Sequence, residues 1–181
     1  CIEVEGPGTD ECTVNADCYT SFRVFVTSNI YTGNLGGLSG ADYKCQSLAD
    51  SQSLGGNWEA WLSFTNTTNS TNTTISASDE LYHSNVQYAK LNSIKVADNW
   101  ADLTDGSLDS PINIFETYPT NSTNSTMPVW TGTNPDGTTN STTSDCMEWW
   151  SSSISLKGQV GQSSQIDTRW TRIADHNCAE K

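Results

Sequence analysis

Cysteines are the residues of this chain whose number and spacing most clearly point to chemistry. Six are present, and none belongs to a Cys-x-x-Cys pair. The only histidines are His83 and His176, so we do not expect a zinc-type cluster. The cysteines therefore predict disulfides formed in an oxidising compartment. Cys12 and Cys18, with five residues between them, most simply close a local loop.

Six Asn-x-Ser/Thr sequons form a second chemically distinctive set. Their asparagines are Asn66, Asn69, Asn72, Asn121, Asn124 and Asn140. The tracts around them hold too few apolar side chains to pack into a core, so we expect them on the surface. The first three sequons follow one another without interruption, which favours N-glycosylation over sequons that occur by composition alone.

Carboxylates gather around Trp100, but without the spacing of a metal-binding loop. They are Asp98, Asp102, Asp105 and Asp109. The Asp-x-Asp-x-Asp-Gly pattern of a calcium hand is absent, so we expect these side chains to cap turns and expect no metal site. Asp102 and Asp105 would be the first candidates if calcium bound.

No group of Ser, Asp and His has the form of a catalytic motif. Asp175 directly precedes His176, but neither lies in a recognisable nucleophile motif. Asp79 and Glu80 are adjacent and would point apart on a strand, which makes a poor acid–base pair. We therefore expect no enzymatic activity and no cofactor.

Composition restricts the partners of the chain and its location. Its 181 residues suffice for one domain with an appendage, and seven Trp, six Tyr and four Phe supply core area. A net charge of -13 argues against nucleic acid or an anionic membrane as partner. Since no transmembrane run or signal peptide is present, we expect a mature product without membrane insertion. The acidity and the predicted disulfides favour a secreted, extracellular location.

The stretch from Gly40 to Ser63 predicts a helix followed by a strand. Four apolar residues recur at helical spacing: Ala41, Cys45, Leu48 and Ala49. Asp42 is expected in the first helical turn, and Gly55-Gly56 should stop the helix. Trp58 to Ser63 then alternate as in a strand.

Other segments have strand character or turn chemistry. Ile2 and Val4 alternate with Glu3 and Glu5, as in a strand with one wet face. Further strands are expected over 22–28, within 81–98, and over 166–173 with Trp170 buried. The glycines of 33–37 predict a loop with positive φ. One indole of Trp149-Trp150 should face in and the other out.

Three ordered motifs resemble the endostatin-like branch of the C-type lectin-like fold, closest to its microbial extracellular domains. They are Gly40-Ala41-Asp42-x-x-Cys45 with Gly55-Gly56-x-x-x-Ala60-Trp61-Leu62-Ser63, Asp98 to Gly106, and Trp130 to Thr133 followed by Asp136-Gly137 and Cys146 to Trp149. The resemblance covers about residues 22–181, and within it 130–137 and 146–151 resemble the two inner strands of the family and the turn between them. It implies an α+β domain with small antiparallel sheets, one main helix and long loops, and leaves 1–21 as a separate N-terminal segment.

The resemblance also implies two disulfides. In this family an inner strand is bridged to the loop before the last strand, and Cys146 and Cys178 match that bridge. The helix cysteine, matched by Cys45, pairs with one in the last strand, but the sequence ends at Lys181, before that strand. Related domains finish on aromatic-Cys-hydrophobic-Glu, and Cys1-Ile2-Glu3 has this form at the other end, so Cys1 is left for Cys45.

Three arrangements of the N-terminal segment remain open. In cis, Cys1 to Glu5 would form a hairpin with Phe22 to Val26 and give a circularly permuted domain. In trans, which we favour, the segment would complete the sheet of a neighbouring molecule and build a filament. Alternatively, Cys1 is the lipidated first residue of a bacterial lipoprotein, which leaves Cys45 unpaired.

Sugar-binding members of the wider fold hold calcium through oxygen ligands in a loop and the next strand. Here the loop offers Asn134-Pro135-Asp136, and the strand offers Trp170-Thr171-Arg172, which places a cation where an oxygen ligand is needed. Calcium-dependent sugar binding is therefore not expected.

Together these features predict a structural subunit of an extracellular glycoprotein filament. Its partners would be copies of itself, joined by donation of Cys1, Ile2, Glu3, Val4 and Glu5, and its own N-linked glycans. The alternative is an extracellular adhesin or ligand-binding domain that contacts matrix or carbohydrate. That alternative would be a monomer with Cys1 paired in cis, or a lipoprotein.

Overall fold

The computed structural model describes residues 1–5, 21–66, 73–121, 124–140 and 143–181, with only the backbone of Glu5. Its strands are β1 Ile2–Glu5, β2 Ser21–Val24, β3 Asn57–Glu59, β4 Phe64–Asn66, β5 Thr73–Ile75, β6 Gln87–Lys90, β7 Lys95–Ala97, β8 Pro128–Trp130, β9 Lys157–Gln162 and β10 Ala174–Asn177. Its helices are α1 Gly37–Ser51, α2 Ala77–Glu80, α3 Trp100–Leu103 and α4 Cys146–Trp149, with a 3-10 helix over Thr168–Trp170.

These strands form three small sheets. The largest has the order β3-β1-β2-β6-β7, the second β10-β9-β8, and the third pairs β4 with β5. The chain is therefore α+β with small sheets and few helices, as predicted. The pairs are antiparallel except β2 with β6, which run parallel. This exception needs a long crossover, and the connection from β2 to β6 contains α1.

The main helix forms where the apolar spacing predicts it. α1 buries Ala41, Cys45 and Ala49 on one face. Gly36, directly before α1, and Gly37, its first residue, have φ of 85° and 70°, so the end of this loop has the positive φ that glycine permits. The prediction for Asp42 was wrong, because this residue lies beyond the first turn and its Oδ1 accepts the N–H of Ala60 at 2.9 Å. Burial raises the pKa of Asp42.

Two predicted strands are shorter than expected because their alternation breaks. β2 ends at Val24, and the consecutive residues Phe25 and Val26 are both buried. β3 ends at Glu59, and Trp61 and Leu62 are again both buried. Consecutive buried side chains need cover on both sides, so these segments pass between layers instead of lying on a sheet surface.

The predicted strand over 166–173 was wrong in type. Asp167 Oδ1 accepts the N–H of Arg169 at 3.0 Å and caps a 3-10 turn there. Trp170 is buried as predicted, at 7 % exposure. The strand of this part of the chain is β9, which comes earlier in the sequence. Its two glycines and its polar residues gave no strand signal.

The predicted strand over 146–151 is replaced by a left-handed turn. Cys146, Met147, Glu148 and Trp149 have φ of 51°, 58°, 56° and 63°. Left-handed backbone costs about 1–2 kcal/mol per non-glycine residue, so tertiary contacts must hold it. Asp145 Oδ1 accepts the Glu148 N–H at 3.3 Å, and Trp149 Nε1 donates to Ser63 O at 3.0 Å. Trp149 is fully buried and Trp150 is 61 % exposed, in agreement with the predicted division.

A buried polar network joins the central loops to β9. Thr171 Oγ1 accepts from Trp61 Nε1 at 2.7 Å and donates to Thr133 O at 3.0 Å. Gln159 Nε2 donates to Thr133 O at 2.9 Å, and Thr131 Oγ1 donates to Thr171 O at 2.6 Å. Because these groups lie away from water, the hydrogen bonds offset the cost of burying them and fix the relative positions of the loops.

Candidate functional site

The N-terminal strand β1 lies inside the five-stranded sheet. Ile2 pairs with Val24 of β2 on one side and with Glu59 of β3 on the other. The N–H of Phe25 donates to Cys1 O at 3.1 Å and extends the pairing with β2 beyond the strand. β1 therefore supplies backbone hydrogen-bond partners to two strands that would otherwise be edges.

The described side chains of β1 are buried, on both faces of the sheet. Ile2 and Val4 are 2 % and 9 % exposed and belong to a core with Trp61, Tyr88 and Leu103. Glu3, expected on a wet face, is only 1 % exposed. The expectation of one wet face was wrong for Glu3, because an arginine on the neighbouring strand β2 allows its carboxylate to be buried.

That arginine is Arg23, which holds the Glu3 carboxylate with its side chain and backbone. Arg23 Nε lies 2.9 Å from Glu3 Oε2, its second guanidinium nitrogen lies 2.5 Å from Glu3 Oε1, and its N–H donates to Oε2 at 3.0 Å. The guanidinium also lies 5.2 Å from the centre of the Trp58 ring. The pair therefore links β1, β2 and β3 through charge and stacking.

A disulfide anchors β1 to the main helix. Cys1 is bonded to Cys45. Cys45 is 4 % exposed and packs with Phe25, Ala49 and Trp58, and Cys1 lies against this cluster. The pairing agrees with the one that the resemblance implies. In the structure, which contains one chain, the Cys1–Cys45 disulfide and the pairing of β1 with its neighbouring strands are both formed in cis.

Residues 6–20 connect β1 to β2 and lie outside the described residues. Cys12 and Cys18, predicted to close a local loop, belong to this segment, so that pairing stays a prediction. The contacts of β1 described above all involve residues on either side of the segment. Their geometry is therefore defined without reference to the path of the connection.

The second disulfide joins Cys146 and Cys178, again as the resemblance implies. Both cysteines are fully buried, and the backbone of Gly33 lies directly against them. A Cβ at Gly33 would lie 2.2 Å from Cys146 Sγ. Gly33 N–H also donates to Cys178 O at 2.8 Å. This bridge therefore joins the left-handed turn, the C-terminal region and the loop before α1.

Four of the six sequon asparagines fall in the described residues. Asn124 is exposed, whereas Asn66, Asn121 and Asn140 are half-buried. Asn69 and Asn72 lie outside the described residues. Asn66 ends β4, next in sequence to Thr65, whose N–H donates to Asp145 Oδ2 at 3.0 Å. Glycosylation of these residues remains a prediction.

The acidic stretch brings three of its four carboxylates together, with a lysine among them. Oxygens of Asp98, Asp102 and Asp109 lie within 4.8 Å of one another. Lys95 Nζ is 2.5 Å from Asp98 Oδ1 and 2.8 Å from Asp109 Oδ2, and both hydrogen bonds raise the pKa of Lys95. Asp105 Oδ1 accepts the Ser107 N–H at 2.8 Å, a turn cap of the predicted kind.

The remaining polar candidates make contacts with neighbouring polar side chains. Arg172 donates to Asn134 Oδ1 at 3.2 Å, so the cation predicted near this loop contacts it directly. Ser144 Oγ donates to Asp175 Oδ2 at 3.0 Å. His176 Nδ1 lies 3.2 Å from Glu180 Oε2, so the adjacent Asp175 and His176 have different partners.

Across the described ranges, no helix combines the length and the apolar character needed to cross a lipid bilayer. The two disulfides fit folding in an oxidising compartment. A comparison with the curated proteins found no match. A family model described as "Protein of unknown function (DUF1554)" matches residues 28–166, a range that begins after β2 and ends before Trp170. The chain belongs to this family.

Proposed function

We propose that this protein is a structural subunit of an extracellular glycoprotein filament, in which Cys1 to Glu5 of one subunit complete the sheet of the next. The observation that carries this proposal is the position of β1 between β2 and β3, with Ile2 and Glu3 almost completely buried. A strand in this position gives up backbone hydrogen bonds on both sides if it leaves. Such a strand is well suited to hold two molecules together.

The contacts of β1 can be formed by a strand from the same chain or from a neighbour. Its partners Val24, Cys45 and Trp58 all belong to the rest of the domain, and only residues 6–20 connect β1 to β2. Exchange of an identical element between molecules preserves every one of these contacts. When each subunit gives its strand to the next, the contact is head to tail, and an open filament results unless the rotation closes a ring.

Two features would make the donated strand slow to leave. The Cys1–Cys45 disulfide would become a covalent bond between subunits, which only thiol exchange or reduction can open. The Glu3 carboxylate would be separated from the guanidinium of Arg23 while both groups are partly removed from water, which is costly.

We further propose that the fold is an endostatin-like C-type lectin-like domain whose final strand is β1. In support, the helix cysteine Cys45 is bridged to a central strand, and Cys146 is bridged to Cys178. The C-type lectin-like pattern has both bridges, but its final strand lies at the C-terminal end of the chain. The small sheets and the single long helix are compatible with this architecture.

Non-reducing electrophoresis of the native material tests the proposal. We expect a ladder of covalent multimers that collapses to one band on reduction, and that is lost in Cys1→Ser. The matched control is the double variant Cys146→Ser and Cys178→Ser, which removes a bridge and should leave the ladder intact. A single monomeric band with an intact Cys1–Cys45 bond would refute donation and establish the cis form. A ladder that persists in Cys1→Ser would refute the linkage.

A second candidate, an adhesin or ligand-binding domain, is favoured by one observation. Met147 lies on the left-handed turn and is 63 % exposed, and Trp150 directly follows the turn and is 61 % exposed. Exposed indoles often contact proteins or sugars. Replacement of Trp150 by Ser should then abolish binding to matrix protein or carbohydrate arrays, while wild type shows saturable binding and a single non-reducing band.

A further inference from the structure

A cavity of about 150 Å³ lies beside β1, where the five-stranded sheet meets α1 and the sheet of β8 and β9. Its walls are mainly apolar and aromatic. They include Phe25, Ile30, Leu62, Trp61, Trp130 and Trp170. Sequence patterns gave no sign of this cavity, because its lining comes from segments throughout the chain.

The size and lining of the cavity limit the kind of apolar group that a ligand can place in it. A protein cavity of about 150 Å³ with apolar walls is large enough for one benzene-sized ring. Trp61 Nε1 and Trp130 Nε1 already donate to Thr171 Oγ1 and Tyr31 O, at 2.7 and 2.9 Å. These two indoles therefore offer the cavity mainly their apolar ring surface, which suits an aromatic ring or a short alkyl chain.

Lys44 on α1 brings a positive charge to the cavity. Its Nζ donates to Leu35 O at 2.6 Å and to Gly40 O at 3.4 Å, and it lies 5.5 Å from the centre of the Tyr31 ring. Within the described part of the chain, no carboxylate forms an ion pair with Lys44. An ammonium has three donors, so one remains for a ligand.

A second lysine at the cavity also favours an anion. Lys181 lines it, and among the described residues the side-chain carboxylate in the lining is that of Glu180, whose Oε2 lies 3.2 Å from His176 Nδ1. The whole chain has 21 acidic residues against eight basic ones, so a surface with this balance is unusual for it. An anionic oxygen placed at Lys44 would find an unpaired cation beside an apolar wall, where water screens the interaction less.

We propose that this cavity binds a small amphipathic carboxylate, with one aromatic ring or short alkyl chain between the tryptophans and the carboxylate on Lys44 Nζ. This inference goes beyond the proposed filament function and does not depend on it. Cys1 and Ile2 line the cavity, so β1 must be in place, but a strand from the same chain or from a neighbour completes the same wall.

Three probes that share a ring and chain length separate the charge from the apolar contact: phenylacetate, 2-phenylethanol and 2-phenylethylammonium. We would titrate each into the protein and follow the indole N–H resonances by NMR. Phenylacetate should bind at least tenfold more tightly than 2-phenylethanol, and the ammonium should bind most weakly. Equal affinities for the three probes, or no saturable shift, would overturn the proposal.

Two variants locate the binding. Lys44→Met keeps the apolar stem and should lower phenylacetate affinity about tenfold, to the level of 2-phenylethanol. The matched control Lys157→Met replaces an exposed lysine of β9 outside the cavity and should change nothing. Ala60→Leu, on the cavity wall, should weaken all three probes. An unchanged affinity in Lys44→Met would refute the assignment, whatever the oligomeric state of the protein.

Discussion

Glu3 and Arg23 form the closest charged link between the N-terminal strand and the rest of the protein. The Glu3 side chain is completely buried, and the Arg23 side chain is 25 % exposed. A buried carboxylate is costly unless its oxygens are paired. Arg23 provides three donors to those oxygens, so the sequence Cys-Ile-Glu can serve as a central strand.

Replacement of Arg23 by Gln should destabilise the protein by about 3 kcal/mol, because it leaves the buried Glu3 carboxylate without its charged partner. The measurement is urea unfolding followed by tryptophan fluorescence. The matched control is Arg169→Gln, since Arg169 pairs with Asp167 where both side chains are more than half exposed. We expect no measurable change in the control. Equal effects of the two substitutions would show that Glu3 does not depend on Arg23.

Gly33→Ala should destabilise the protein through a clash with the Cys146–Cys178 bridge, because the new Cβ would lie 2.2 Å from Cys146 Sγ. A forced contact in a close-packed interior costs about 1–3 kcal/mol. A double-mutant cycle with Cys146→Ala and Cys178→Ala tests the cause, since removal of the sulfur should relieve much of the penalty. An unchanged penalty in that background would exclude the bridge as the source.

Asp145→Asn should change the pH dependence of stability. Burial raises the pKa of Asp145 in the folded protein, although hydrogen bonds from the N–H groups of Thr65 and Glu148 act in the opposite direction. The folded state therefore holds the proton more tightly than the unfolded chain. The resulting stabilisation is complete below the unfolded pKa of about 3.9, and it is lost as pH rises through the folded pKa.

Wild type should accordingly lose stability relative to Asp145→Asn as pH rises from the unfolded pKa through the higher folded pKa of Asp145, as measured by urea unfolding at each pH. Asp136→Asn gives a control of opposite sign. Hydrogen bonds from Thr138 lower the pKa of Asp136, so wild type should gain stability relative to that variant as pH rises above the folded pKa. If stability relative to the two variants changed with pH in the same direction, the opposite pKa shifts assigned to Asp145 and Asp136 would be contradicted.

Asn124 should carry an N-glycan in the native protein, because it is exposed and begins an Asn-Ser-Thr sequon. Enzymatic release of N-glycans converts the linked asparagine to aspartate, which peptide mass spectrometry detects. We expect this conversion at Asn124, and its loss in Thr126→Ala, which destroys that sequon and leaves the one at Asn121 intact. Native material with unmodified Asn124 would contradict the prediction.

The sequence predicts best where one local pattern determines the outcome. The stripe of Ala41, Cys45 and Ala49 predicts the face that α1 buries, because apolar spacing and helical period coincide. The alternation of Ile2 and Val4 predicts β1. The burial of Glu3 could not be predicted, because it depends on Arg23, which is distant in sequence and adjacent only in the sheet.

The remaining features depend on contacts between distant segments. No local signal predicts positive φ for Cys146 to Trp149, because the turn is held by Asp145, by Ser63 and by the bridge to Cys178. β9 was missed because Gly158 and Gly161 have low strand propensity. A glycine is required at position 161, because a side chain at Gly161 would collide with the backbone of Trp170.

β1 precedes all of its partners along the polypeptide. Val24, Cys45 and the residues of β3 are all made later, so a growing chain displays its first strand before any sheet exists to receive it. A nascent chain therefore exposes β1 during synthesis. In the proposed filament, a finished subunit nearby would compete for that strand with the later residues of the same chain. The outcome of that competition should vary with the local concentration of chains.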